Sequence, residues 1–168
     1  MKKKITQLVL TVLLSSSYSF IFGQGLKSDI TVDKLPQEVK QVLENYITIL
    51  SSSASYEDCA TKFTQIAGGG LIDESLNKVT LRTATKTYSL KKDFDNIKFY
   101  ANPIVIKRVS VSPSRTSGFG ESAITGTIYK IFIEKKAGGV GLPAPISIMV
   151  PKNHPKIKSP KVINVGSL

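Results

Sequence analysis

The dominant hydrophobic repeat of this chain changes at Asn102-Pro103, and that change limits the architectures open to it. Before the break, apart from a short alternating run at 79–83, apolar residues recur every three or four positions, the spacing of a helix face; after it they alternate, as in half-buried strands. Helices gathered ahead of strands predict an α+β domain. Regular alternation of the two would predict a parallel α/β sheet instead.

Upstream of the break, Leu35, Val39, Val42, Leu43, Tyr46, Ile47 and Leu50 share one face and predict a helix over 35–50. Pro36 suits its first turn, where a missing N–H has no helical partner anyway. The serines at 51–53 break the pattern. Ser55 can cap a second helix over 55–67, with Glu57 and Asp58 at the positive end of its dipole and Cys59, Ala60, Phe63, Ile66 and Ala67 as its stripe. Gly68, Gly69 and Gly70 end it. No Lys-Ser/Thr pair follows these glycines, so they do not form a phosphate loop. Val79, Leu81 and Thr83 alternate as in a short strand. Ser89 can cap a third helix over 89–99, with Leu90, Phe94 and Ile97 on one side and Lys91, Lys92, Asp93 and Asp95 around it.

Downstream, Ile104, Ile106, Val109 and Val111 alternate with a phase shift at Lys107-Arg108, which predicts a bulge. Residues 112–120 read as a turn. The next strand has Ile124, Ile128 and Phe132 on one face and Tyr129, Ile131 and Ile133 on the other, so it should lie centrally. Two more strands are expected, at 145–150 and at 161–168.

The N-terminus gives a compartment expectation. Lys2, Lys3 and Lys4 precede an apolar stretch from Ile5 to Leu14, and Gly23-Gln24 is a plausible cleavage point. Residues 1–24 therefore read as a signal peptide, 25–34 as a polar lead-in and 35–168 as one α+β domain. The product would be periplasmic or secreted, with no stable membrane anchor after cleavage. The single cysteine allows no internal disulfide, so packing must hold the fold. Cys59 falls on an apolar stripe and reads as buried and inert.

The formal net charge is +11, with Lys2, Lys3 and Lys4 supplying three of it. The densest basic run, Lys152, Lys156, Lys158 and Lys161, is interleaved with prolines and not with stacking aromatics, so nucleic acid is not an expected partner. Binding of an anionic polymer through this segment is a further alternative. Asp73-Glu74 and Asp93/Asp95 lack the ligand spacing of a calcium loop. One histidine and one cysteine are too few for the usual zinc ligand sets, so no zinc site is expected within the chain. Neither metal nor cofactor is expected.

Two helices, a short strand, a third helix and then four long strands form an element order that resembles the nuclear-transport-factor-2-like superfamily. The resemblance runs from about Leu35 to Leu168. It implies a cone in which a curved antiparallel sheet wraps the helices around a pocket, and sheet-to-sheet homodimers. A cystatin-like sheet on a single helix is the alternative, and it accounts poorly for the first two helices. The family's enzymes use pocket Asp, His and Tyr residues. Here His154 sits in an expected turn, and the only acids in or beside the expected strands are Glu121 and Glu134. The expectation is therefore a non-catalytic module for a small ligand or a protein, with Tyr46, Tyr56 and Tyr129 as candidate ligand-binding residues. An isomerase- or dehydratase-type enzyme is the alternative.

Overall fold

The computed structural model describes residues 27–80, 83, 89–137, 139 and 142–168. The expected signal peptide lies outside the described residues, which form an α+β fold. Among the described residues are helices α1 (Gln37–Ser52), α2 (Tyr56–Phe63) and α3 (Leu90–Asn96). They accompany strands β1 (Ser28–Ile30), β2 (Ile106–Ser117), β3 (Ile124–Ile133), β4 (Ala144–Pro151) and β5 (Lys161–Asn164). The strands form one antiparallel sheet in the order β1-β2-β3-β4-β5.

Register explains which face is buried. Val109, Ile131 and Ile146 stand opposite one another across β2, β3 and β4, and Val111, Tyr129, Ile148 and Val162 form the next row. Both rows belong to the main core, with Val39, Leu43, Tyr46 and Leu50 of α1 packed in the same cluster. Fully burying aliphatic side chains of this size contributes roughly 1.5–3 kcal/mol each, which makes this face the main support of the fold. The opposite face carries Arg108, Phe132 and Lys130, with the Arg108 guanidinium 4.1 Å from the Phe132 ring centre. A smaller apolar cluster of Ile124, Met149 and Ile157 closes that face at its far end.

Several elements differ from the sequence reading. Residues 28–30, in the expected lead-in, form an edge strand paired with Val109–Val111; three residues are too few to show alternation. Strand β2 runs on to Ser117 through the expected turn. A second register shift between Ser112 and Arg115 absorbs Pro113 and Ser114, which has a φ of 51°. A bulge tolerates a residue without an N–H, so proline here does not end the strand.

Helix α2 stops at Phe63, and Ala67 instead makes a parallel bridge with Val162. Val162 donates its N–H to the Ile66 carbonyl at 2.8 Å, and Gly68 donates to the Val162 carbonyl at 2.9 Å. Of the expected strand at 79–83, Val79 makes an isolated bridge with Ile72, Leu81 lies outside the described residues, and Thr83 is helical. β5 ends at Asn164, and the last four residues turn away from the sheet through Gly166, whose φ is 82°. That left-handed backbone favours glycine.

Candidate functional site

The most elaborate polar arrangement in the interior is centred on Asp93. Leu90, Asp93 and Ile97 lie three and four residues apart, so the helical turn that buries Leu90 also turns Asp93 inward. Asp93 is 2 % exposed and Tyr46, on α1, is 0 % exposed. Tyr46 donates its hydroxyl to Asp93 Oδ2 at 2.6 Å. The Gly166 N–H donates to the same oxygen at 2.7 Å, and the Leu168 N–H donates to Oδ1 at 2.7 Å. Two further bonds hold this tail: Lys92 Nζ donates to the Gly166 carbonyl and Asn96 Nδ2 to the Leu168 carbonyl.

Burial raises the Asp93 carboxyl above the ordinary carboxylate value, opposed by the hydrogen bonds from Tyr46, Gly166 and Leu168. Burial also pushes the Tyr46 hydroxyl well up, helped by the neighbouring Asp93 charge. Asp93, expected around the helix with Lys91, Lys92 and Asp95 and off the side of Leu90, Phe94 and Ile97, is therefore interior instead. The spacing to Leu90 was the available signal. The partners that make burial tolerable lie 47, 73 and 75 residues away in sequence and left no local mark.

The three tyrosines are not brought to one place by direct bonds. Tyr46 packs its ring 5.5 Å from that of Phe63 in the core. Tyr56, at the start of α2, lies 6.1 Å from Phe94 with Lys91 above its ring. Tyr129 is half-buried on the inner sheet face between Val111 and Ile148. None of them lines the clefts described below.

Three adjoining clefts open where β3 ends and β4 begins. The first, of about 370 Å³, lies between α1 and α3; Ile47, Leu50, Phe94, Ile97 and Tyr100 form its floor, with Ser51, Ser53, Lys98, Asn102 and Lys136 around them. The second, of about 420 Å³, includes Ala101, Val105, Lys135, Lys136 and Pro143. The third, of about 530 Å³, includes Phe99, Tyr100, Lys135, Leu142 and Leu168. Shared residues make them continuous: Tyr100 borders the first and third, Lys136 the first and second, Lys135 the second and third. No motif marks this region in the sequence, because its walls come from four separate segments.

Other residues singled out from the sequence have local roles. His154 Nδ1 accepts from the N–H groups of Lys156 and Ile157 at 3.2 and 2.8 Å, closing a turn. Glu121 pairs with Lys156 at 2.7 Å, and Glu134 with Lys107 at 2.9 Å. Lys161 donates to the Gln65 carbonyl at 2.7 Å, so Lys156 and Lys161 of the basic C-terminal run are both engaged within the fold. Cys59 is buried, and burial pushes its thiol up to about 11.

Among the described residues, no cluster of His, Cys, Asp and Glu is placed to hold a metal ion, and no helix is long and apolar enough to cross a membrane. No family model, curated protein or solved structure matches the chain.

Proposed function

We propose that this protein is an exported, non-catalytic binding module of the nuclear-transport-factor-2-like type, which holds a small amphipathic ligand in the cleft between α1 and α3. The observation that carries the ligand reading is the composition of that cleft. An apolar floor of Ile47, Leu50, Phe94 and Ile97 is ringed by hydroxyls, an amide and two lysines. Its volume of about 370 Å³ falls in the range of small-molecule sites. The cone reading is supported by element order. Two helices are followed by the 66–68 pairing on β5, then by α3 and the long meander.

The buried Asp93–Tyr46 pair is what favours the second reading, an isomerase- or dehydratase-type enzyme. A general base needs an accessible lone pair within reach of the substrate proton. Asp93 instead accepts from Tyr46 and two backbone N–H groups, and neither residue lines any of the three clefts. These contacts support a structural role for the pair.

The binding reading is tested with the anionic apolar dye 8-anilinonaphthalene-1-sulfonate. Its fluorescence should rise saturably with native protein, and Ile97→Glu should weaken binding by about tenfold through a charge in the apolar floor. Equal binding by wild type and Ile97→Glu would remove the cleft as the site. Export is tested separately, by fractionating cells and sequencing the N-terminus of the accumulated protein.

A further inference from the structure

We propose that the end of the molecule bearing Phe99, Val105 and Leu142 is a contact surface for an anionic lipid bilayer. This goes beyond the ligand reading and does not require it. The three residues are 54, 41 and 87 % exposed. They come from separate places in the chain: the turn after α3, the approach to β2, and the connection from β3 to β4. The fold nonetheless collects them at one end. Phe99 and Leu142 border one cleft and Val105 borders the next, with Lys135 and Gly139 common to both.

Charge completes the surface. Lys98 and Lys136 are exposed beside these apolar groups, with the Lys98 ammonium 5.2 Å from the Phe99 ring centre. Two acids of the flanking segments are paired, Glu134 with Lys107 and Asp95 with Lys91, each at 2.9 Å. Apolar tips ringed by lysines match the layering of an anionic bilayer, in which phosphates lie outside the acyl region. Long lysine stems can lie along the apolar surface while their charged heads reach the phosphates.

Projection favours a bilayer over an acidic peptide. A peptide docks against a concave apolar floor, whereas Leu142 stands almost wholly in solvent. A tip of that kind buries its area only where the opposing surface yields around it. The sheet's other end supplies an internal control: Phe119, in the β2–β3 hairpin, is equally exposed at 87 %.

The test uses the protein recovered from the cell fraction in which it accumulates. It is sedimented with vesicles of phosphatidylcholine alone or mixed equally with phosphatidylglycerol. Wild type should bind the mixed vesicles preferentially and lose binding as salt is raised. The double substitution Phe99→Ser with Leu142→Ser should weaken binding by at least about tenfold, by removing two inserting side chains. Phe119→Ser should bind like wild type. Equal binding to both vesicle types, or an equal loss in Phe119→Ser, would overturn the proposal. So would tighter binding of soluble polyglutamate than of the mixed vesicles, which would assign the surface to an acidic protein.

Discussion

Tyr46 on α1 donates its hydroxyl to Asp93 on α3 across 2.6 Å, in a part of the core closed to solvent. The same carboxylate receives the N–H groups of Gly166 and Leu168. One side chain thus joins two helices and the segment following β5. These donors reduce the cost of burying the charge, and that cost grows if any of them is lost.

Removing the acceptor should therefore be more damaging than removing one donor. Asp93→Ala leaves a hydroxyl and two backbone N–H groups unpaired in the interior and should destabilise by about 3 kcal/mol or more. Tyr46→Phe deletes one hydrogen bond to a charged group and should lose about 2 kcal/mol. Urea unfolding followed by circular dichroism checks both, and the reverse order of severity would contradict this account.

The same carboxyl gives a pH dependence of defined sign. Because burial raises its value, the folded protein holds this proton more tightly than the unfolded chain does. Its contribution to stability is complete below the ordinary value of 3.8 and is lost as pH rises through the raised folded value. Asp58 and Asp73 act oppositely: hydrogen bonds from Lys62 and Ser75 lower them, so their contribution is lost in acid. Comparison with Asp93→Asn cancels those common effects. Between neutral pH and about pH 3, wild type should gain stability relative to Asp93→Asn as pH falls. A relative loss would mean that the three donors outweigh burial.

Cys59 should be chemically silent while the fold is intact. Its thiol is enclosed, and burial holds it near 11, so little thiolate exists at mildly alkaline pH. Ellman's reagent should modify the native protein at least about a hundredfold more slowly than the urea-unfolded chain. Comparable rates in the two states would show that the helical stripe bearing Cys59 opens readily.

Gly126 is required for space between strands. A β-carbon there would overlap the Val150 carbonyl oxygen on β4 and lie 2.8 Å from its carbonyl carbon. Gly126→Ala should destabilise by about 2 kcal/mol. At Gly70 the nearest atom to a β-carbon is 3.9 Å away, so Gly70→Ala should change stability by no more than about 0.5 kcal/mol. Equal effects in thermal unfolding would show that β4 moves aside freely.

Much of the framework is legible without coordinates. The stripe from Val39 to Leu50 specifies α1, and the Ser55 cap correctly starts α2. The two-faced apolar pattern of 124–133 identifies the central strand. These features are local: capping and periodicity are properties of a few adjacent residues. By contrast, Pro113 reads as a turn because the β3 strand that accommodates its bulge is absent from the local window.

From the sequence alone came the α+β class, the inward face of the main helix and the alternation that sets Tyr129, Ile131 and Ile133 on one sheet face. Tertiary structure decided that Asp93 is interior, that residues 66–68 pair with β5, and that Phe99, Val105 and Leu142 share one end. The physical reason is distance along the chain. A side chain's periodic position is set by its neighbours, whereas the donors that satisfy a buried carboxylate, or the loops that form one surface, meet only after folding.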